Sequence, residues 1–215
     1  MSGVNDPHAG QPVAHTGAPL GEGRAVVIMV HGRNAGPANI LGLAAEFKQP
    51  DVTWLAPAAA NGTWYPYGFM ADRATNEPFL TSALNRLRTL VADVTARGVP
   101  ASKIVLLGFS QGACLTGEFA VRHATRYGGI VMFSGGLIGP PGTTWEDGGS
   151  FDQTPVFLGC SDVDSHIPKS RVDESAVVFG RLGADVTKRI YPGMGHLVNE
   201  DEIGVAADLI GRISV

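Results

Sequence analysis

The sequence alternates short apolar runs with amphipathic stretches, and this alternation limits the folds open to the chain. The apolar runs are typical of strands buried on both faces of a sheet; they cover 25–30, 52–55, 104–107, 129–133, 156–159 and 186–191. Helical patterns lie between them at 38–47, 78–97, 112–123, 171–182 and 200–213. We therefore predict an α/β fold with a mostly parallel, doubly wound sheet and helices on both faces. Residues 13–16 are predicted to add an antiparallel edge strand.

The length of 215 residues is most simply that of one domain. We expect an irregular N-terminal segment over 1–23 and a single α/β domain over 24–215, with no separate cap domain. The stretch 134–153 has neither a helical nor a strand pattern, and it is longer than most structureless connections. It is predicted to be either a functional rim or a mobile surface loop.

Charge and composition favour a small-molecule substrate. The net charge is -4 and the 16 basic residues are scattered, which argues against a nucleic acid or an anionic membrane surface. No apolar stretch reaches the roughly 18 residues needed to span a bilayer, and the first 19 residues lack a signal-peptide pattern. We expect a cytoplasmic protein without integral membrane association. Its two cysteines, Cys114 and Cys160, are predicted to be buried thiols, and a homodimer is left open.

The pentapeptide 108–112, Gly-Phe-Ser-Gln-Gly, stands between a predicted strand and a predicted helix. In this context G-x-S-x-G predicts a nucleophile elbow, in which the serine occupies a strained turn and the glycines keep side chains off the helix–strand crossing. Ser110 would then be exposed at the carboxyl edge of the sheet, beside a helix N-terminus. We propose Ser110 as the nucleophile.

An acid and a base follow at matching places along the chain. Asp164 comes after the fifth long strand and His196 after the sixth, at the sheet edge where ligands bind in such folds. The order Ser110, Asp164, His196 is that of α/β-hydrolases. A neutral imidazole at His196 would accept the serine proton, and the Asp164 carboxylate would orient the ring.

A metal site is the rival interpretation of the same loop, because Asp162, Asp164 and His166 offer oxygen and nitrogen donors. The chain lacks a cysteine pair or an H-E-x-x-H pattern to complete such a site. We therefore expect no metal and no organic cofactor. Asp162 is interpreted as a strand-end residue that caps backbone amides, and His166 as a loop residue near the rim.

The glycine-rich turn after the first long strand is a candidate oxyanion hole. Its backbone amide at Arg33, together with that of Gln111, is predicted to stabilise the tetrahedral oxyanion. The Arg33 side chain is then free either to favour anionic substrates at the mouth or to be a solvated loop arginine. His31 ends a buried strand and is interpreted as a structural histidine.

An aromatic cluster over 64–70 follows the second long strand. Trp64, Tyr65 and Phe69 are predicted to contact substrate, as is Leu137 in the later loop; packing of these rings against the core is the alternative. Asn76 is predicted to cap the helix that begins near Pro78.

These motifs together resemble the phospholipase/carboxylesterase family, which includes acyl-protein thioesterases and small bacterial carboxylesterases. The resemblance rests on segments 30–34, 56–67, 108–115, 133–137, 164–168 and 193–196. It implies a compact α/β-hydrolase fold, the roles given above for Ser110, Asp164 and His196, and oxyanion amides at Arg33 and Gln111. Many acyl-protein thioesterases carry leucine where this chain has Arg33, which favours a bacterial-type carboxylesterase.

The leading hypothesis is a serine carboxylesterase that hydrolyses small to medium carboxylic monoesters through an acyl-enzyme. A lysophospholipase or acyl thioesterase acting through the same three residues is the near alternative. A non-catalytic, hydrolase-like binding protein is the alternative of a different class, and the presence of all three catalytic residue types weighs against it.

Overall fold

The computed structural model describes residues 6–145 and 148–213. Seven strands are present in this part of the chain: β1 (Val13–Gly17), β2 (Ala25–Val30), β3 (Val52–Pro57), β4 (Ile104–Phe109), β5 (Gly129–Phe133), β6 (Pro155–Ser161) and β7 (Asp185–Tyr191). The α-helices are α1 (Pro37–Leu41), α2 (Phe79–Ala96), α3 (Gln111–Arg122), α4 (Lys169–Arg181) and α5 (Glu200–Gly211). Four short 3₁₀ turns lie between them, at Gly42–Ala45, Ala60–Gly62, Arg73–Asn76 and Ala101–Lys103.

The strands form one sheet in the order β1-β3-β2-β4-β5-β6-β7. All neighbours are parallel except β1, which pairs antiparallel with β3 from Val13 opposite Pro57 to Gly17 opposite Thr53. The chain reverses direction after β3, so the connection from β3 to β4 passes β2 and places β4 on its other side. The loops after β2 and β4 therefore meet at the carboxyl edge, where a doubly wound sheet binds ligands.

The sheet is covered on both faces because the side chains of a strand alternate between them. In β2, Val26, Ile28 and Val30 point into one apolar cluster, to which α2, α3 and α4 contribute. Ala25, Val27 and Met29 point into the other cluster, which contains residues of α1 and α5. Every residue of β2 is buried, which explains its continuous apolar pattern.

The predicted fold is confirmed, with two differences in the elements. The β7 strand is largely exposed, because it lies at the edge of the sheet and carries polar residues such as Lys188 and Arg189; the expectation of burial on both faces is wrong there. The helix predicted over 38–47 is a five-residue α-helix followed by a 3₁₀ turn. Gly42, at their junction, gives little support to a longer α-helix. The antiparallel edge strand is confirmed as β1.

The segment 134–153 is packed into the fold where the structure describes it. Leu137, Ile138 and Phe151 are fully buried. The buried Glu118 of α3 accepts hydrogen bonds from the Ile138 amide and the Trp145 indole. The alternative of a mobile loop is therefore wrong for these residues, because a buried carboxylate and apolar side chains fasten them to α3. Residues 146–147 lie outside the described residues.

No helix within 6–145 or 148–213 combines the length and the hydropathy needed to cross a bilayer.

Candidate active site

Ser110 lies between β4 and α3 in a conformation that few residues other than glycine adopt, with φ 55° and ψ -123°. Its amide donates to the Phe133 carbonyl at 2.9 Å, and its carbonyl accepts from the Cys114 amide at 3.0 Å. These bonds hold the strained residue between β5 and the first turn of α3. The turn is thus the predicted strand, elbow and helix.

The side chains of Ser110, His196 and Asp164 form a continuous hydrogen-bonded chain. Ser110 Oγ lies 2.9 Å from His196 Nε2, and His196 Nδ1 lies 2.7 Å from Asp164 Oδ2. An ionised carboxylate only accepts hydrogen bonds, so Nδ1 carries the ring proton and Nε2 is left to accept the hydroxyl proton. This arrangement suits a serine nucleophile, a histidine base and an orienting acid.

Asp164 is held as a carboxylate by its surroundings. Its side chain is fully buried, and burial alone would raise the pKa of this carboxyl. Hydrogen bonds from the His196 ring and from the amides of His166 and Ile167, at 2.8 and 3.0 Å, outweigh the burial, so the pKa lies below its usual value. The Cys160 thiol adds a weak contact at 3.8 Å. Asp164 is therefore a carboxylate at neutral pH.

Two backbone amides beside Ser110 have no protein acceptor among the residues that the structure describes: those of Arg33 and Gln111. Gln111 is the first residue of α3, where an amide has no partner within the helix. Arg33 lies in the turn after β2, and both residues line the same cavity as Ser110. Such amides are available to an oxyanion.

The side chain of Gln111 positions the neighbouring aromatic segment. Its Oε1 accepts from the Trp64 amide at 3.0 Å, and its Nε2 donates to the Tyr65 carbonyl at 2.8 Å. One residue therefore presents a main-chain amide at the elbow and fastens the next loop with its side chain. The sequence motif G-x-S-x-G leaves this position variable, so only the structure reveals the second task.

His31 is a structural histidine, as its position at the end of β2 suggested. Its Nε2 accepts from the Ala59 amide at 3.1 Å, so Nδ1 carries the proton and donates to the Gly32 carbonyl at 2.8 Å. Burial lowers the pKa of His31, which keeps the ring neutral. Both ring nitrogens are occupied, which leaves His196 as the histidine that contacts Ser110.

Ser110 opens into a cavity of about 780 Å³. One apolar wall comes from the side of the sheet that holds α1; it consists of Ile40, Leu43, Phe109 and Val198. The opposite wall comes from the other side; it consists of Tyr65, Phe69, Cys114 and Ile167. An ester bound at Ser110 would thus have an apolar wall for each of its two parts.

Two of the four predicted substrate contacts lie elsewhere. Trp64 is fully buried outside the cavity, because its indole nitrogen donates to the His31 carbonyl at 2.9 Å and its ring packs on that histidine. Leu137 is buried in the core, where its amide donates to Ser175 Oγ at 2.9 Å. Tyr65 and Phe69 do line the cavity. None of the described residues of 134–153 lines it, so the later loop is no functional rim of this cavity.

Sequence reasoning missed several residues of the site. Ile40, Leu43 and Val198 form much of one wall, and their only signal was their place after strands that end at the active edge. Asn76 was predicted to cap a helix, but α2 begins at Phe79 and Asn76 is buried. Its side chain instead accepts from the Tyr67 amide at 2.8 Å and donates to the Gly68 carbonyl at 3.1 Å. It supports the aromatic segment.

The N-terminal segment also supports that aromatic segment, through His8. This histidine is fully buried; its Nδ1 accepts from the Ala60 amide at 3.0 Å, and its Nε2 donates to the Trp64 carbonyl at 2.9 Å. No pattern in the sequence marked His8 for this role.

The side chains of the candidate metal ligands Asp162 and His166 contact other groups. Asp162 Oδ1 accepts from the Gly193 amide at 2.8 Å, in agreement with its interpretation as a capping residue. His166 is exposed at the cavity, with its ring centroid 4.7 Å from that of His196. Within 6–145 and 148–213, no three histidine, cysteine, aspartate or glutamate side chains are grouped to hold a metal ion.

Known proteins share this architecture. A family model described as phospholipase/carboxylesterase matches residues 13–213. The chain belongs to the phospholipase/carboxylesterase family. The crystal structure of a phospholipase/carboxylesterase from Dyadobacter fermentans superposes with a TM-score of 0.90 at 40% identity, over 94% of this chain and 97% of that one.

Two curated relatives are more distant. Acyl-protein thioesterase 1 of Yarrowia lipolytica is 26% identical over 204 residues, which cover 83% of this chain and 87% of the relative. A probable carboxylesterase of Arabidopsis thaliana, SOBER1-like, is 24% identical over 200 residues, or 84% and 75% of the two chains. The predicted family resemblance is confirmed, and with it the expectation of a hydrolase.

Proposed function

We propose that the chain is a serine carboxylesterase of small to medium carboxylic monoesters, with Ser110 as nucleophile, His196 as base and Asp164 as orienting acid. The observation that carries this proposal is the hydrogen-bonded chain from Asp164 through His196 to Ser110, which ends in an apolar cavity. Family membership supports the same reaction class.

In the first half of the reaction, Ser110 Oγ attacks the ester carbonyl carbon while His196 Nε2 takes the hydroxyl proton. The carbonyl oxygen becomes an oxyanion and accepts hydrogen bonds from the amides of Arg33 and Gln111. The imidazolium, stabilised by Asp164, gives its proton to the departing alcohol oxygen as the carbon–oxygen bond breaks. The alcohol leaves and the acyl group stays on Ser110.

The second half repeats these steps with water. His196 Nε2 accepts a proton from the water that attacks the acyl carbon, and the same two amides bind the second oxyanion. The proton then returns to Ser110 Oγ as the carboxylic acid departs. Every proton moves through His196, so the reaction as proposed needs no metal and no organic cofactor.

Hydrolysis of acyl thioesters is the second candidate, favoured by the relatives named acyl-protein thioesterase. The same nucleophile and oxyanion amides serve a thioester, because attack occurs at an equivalent carbonyl carbon. Comparison of kcat/KM for short-chain esters and for long-chain acyl thioesters separates the two: a preference for the first supports the esterase, and a preference for the second supports the thioesterase.

A covalent probe tests the proposal directly. A fluorophosphonate should label the wild-type protein at Ser110, and Ser110→Ala should abolish both labelling and ester hydrolysis. Ser165→Ala, an exposed serine in the loop after β6, is the matched control and should keep both. Full activity in Ser110→Ala, or labelling at another residue, would contradict the proposal.

The pH profile provides an independent check. A protonated imidazole cannot accept the Ser110 proton, so kcat/KM should fall as the solution becomes acidic. A flat profile between about pH 5 and pH 9 would exclude His196 as the base. The expected cytoplasmic location and the expected absence of nucleic-acid partners stay predictions, and a homodimer stays open.

A further inference from the structure

Two backbone carbonyls of the aromatic segment 64–70 hold the guanidinium of Arg33. Its Nη1 donates to the Pro66 carbonyl at 2.7 Å, and its Nη2 donates to the Tyr67 carbonyl at 2.6 Å. The guanidinium carbon lies 6.0 Å from the centre of the Tyr65 ring. Arg33 lines the same cavity as Ser110. Arg33 is an exposed loop residue, as one sequence interpretation has it, but these two hydrogen bonds hold its guanidinium in one place.

The charge of Arg33 is not neutralised within the described residues. Its two acceptors are neutral carbonyl groups, and no carboxylate there forms a salt bridge with it. Arg24, Arg73 and Arg189, by contrast, each pair with a carboxylate at 2.6 to 3.0 Å. Two of its five N–H groups are used by the carbonyls, so three remain for another acceptor.

The rest of the cavity reinforces this positive charge. No aspartate or glutamate lines the cavity in the described part of the chain, and the acid of the site, Asp164, is fully buried behind His196. The N-terminus of α3, which begins beside Ser110, adds a partial positive charge. The positive charge at the cavity contrasts with the net charge of -4 for the whole chain.

The geometry points to an anionic ester as the substrate: one whose acyl or alcohol part carries a carboxylate or phosphate group that Arg33 binds. A guanidinium recognises both groups through its N–H fork. Because the two carbonyls already hold the side chain, binding costs little further side-chain entropy. This inference rests on the proposed esterase function and narrows its substrate class.

Two matched pairs of esters test it, one for each position of the charge. Monoethyl adipate and ethyl hexanoate share the leaving group and the acyl length, and differ in a terminal carboxylate on the acyl side. The second pair, 1-butyrylglycerol 3-phosphate and 1-butyrylglycerol, differs in a phosphate on the alcohol side. The ratio of kcat/KM within a pair, measured on one preparation, is independent of the fraction of active enzyme.

Wild-type enzyme should prefer the anionic member of at least one pair, and Arg33→Gln should lower that ratio at least tenfold. Arg33→Lys keeps the charge without the planar fork and should lower that ratio less. The matched control is Arg88→Gln, which makes the same change in net charge at an exposed position on α2. It should leave both ratios unchanged.

Unchanged ratios for both pairs in Arg33→Gln, or a wild-type preference for the neutral member of both, would overturn the inference. Ser110→Ala separates this failure from that of the esterase proposal. If Ser110→Ala abolishes hydrolysis of all four esters while Arg33→Gln leaves the ratios alone, only the assignment of the anionic substrate fails. Hydrolysis that survives in Ser110→Ala contradicts the esterase proposal itself.

Discussion

Gly112 of α3 lies against the backbone of Val30 at the end of β2, so closely that a Cβ atom at residue 112 would stand 2.1 Å from the Val30 carbonyl oxygen. The neighbouring His31 carbonyl oxygen would be 2.5 Å away. Gly108 has a similar relationship to α3, with a Cβ position 2.4 Å from the Gly112 carbonyl oxygen. The two glycines of G-x-S-x-G thus allow the helix to cross the strands, and Ser110 stands at the crossing.

Gly112→Ala should therefore destabilise the protein although alanine favours helices. The added methyl group meets backbone atoms that cannot rotate away, so α3 or β2 must shift, and we expect a loss of about 3 kcal/mol or more in the free energy of unfolding. Esterase activity should fall with it, because Ser110 moves with α3. Denaturant unfolding and ester hydrolysis measure the two effects.

Gly204→Ala is the control for this substitution. Gly204 is an exposed residue within α5, and a Cβ atom there would meet no other atom within 4 Å. The gain in helix propensity should raise the free energy of unfolding by roughly 0.5 to 1 kcal/mol. Equal effects of the two substitutions would show that the crossing is not as tight as described.

Asp164→Asn should lower kcat on the order of 10³ to 10⁴ fold with little change in stability. The amide oxygen of asparagine can still accept from the amides of His166 and Ile167, which bond Asp164 Oδ1. The neutral side chain neither stabilises the imidazolium nor enforces the Nδ1–H tautomer of His196. Steady-state kinetics and the rate of fluorophosphonate labelling should fall together.

Asp162→Asn is the matched variant, two residues away in the same loop, where the carboxylate bonds only the Gly193 amide among the described residues. Its effect on kcat should be far smaller. A loss in Asp164→Asn of less than about tenfold would remove Asp164 from the role of orienting acid.

The sequence was sufficient to predict the sheet and the elbow at Ser110, because both depend on local patterns. The buried strand β2 is a continuous apolar run, and Ser110 lies in a motif whose glycines have a steric cause. Which side chains line the cavity depends on tertiary contacts, which local patterns do not show. Trp64 and Tyr65 are adjacent aromatic residues, and the sequence predicts substrate contact for both. One is buried behind His31 and the other lines the cavity, because the hydrogen bonds of Gln111 and His8 set the path of their backbone.

Loss of the Gln111 side chain should destabilise the aromatic segment. Gln111→Ala leaves the buried Trp64 amide and Tyr65 carbonyl without their partner, and each orphaned group costs about 1 to 3 kcal/mol. The backbone amide at residue 111 is retained, so KM should rise more than kcat falls. Chemical denaturation and steady-state kinetics measure these effects.

Gln153→Ala is the control, since that side chain is exposed and makes only a 3.5 Å contact with the Gly183 carbonyl in the described structure. It should change stability by no more than about 0.5 kcal/mol. A loss of kcat in Gln111→Ala with an unchanged KM would contradict the assigned role of the side chain in shaping the cavity.

Glu202 should make the stability of the protein depend on pH near neutrality. It lies in the first turn of α5, fully buried, where Oε2 accepts from the Asn199 amide at 2.9 Å and Oε1 has no partner among the described residues. Burial raises the pKa of Glu202 to about 7, and the nearby Asp201 charge adds to this, although the Asn199 amide opposes it. The folded state therefore binds the Glu202 proton more tightly than the unfolded chain does.

The direction of the pH effect follows from this difference. The stabilisation by the Glu202 proton is complete below the ordinary glutamate pKa of 4.5 and is lost as the pH rises through about 7. The loss amounts to at most about 3 kcal/mol in the free energy of unfolding. Glu202→Gln keeps a side chain that can cap the Asn199 amide and carries no charge. Its stability relative to wild type should therefore increase between about pH 4.5 and pH 8.

Urea unfolding of both proteins across this range measures the difference. Glu200→Gln removes an exposed carboxylate from the same first turn of α5, and its difference from wild type should stay nearly constant with pH. If the difference between Glu202→Gln and wild type is equally constant, the pKa of Glu202 is the same in the folded and unfolded states, and the unpartnered Oε1 must then be reached by solvent.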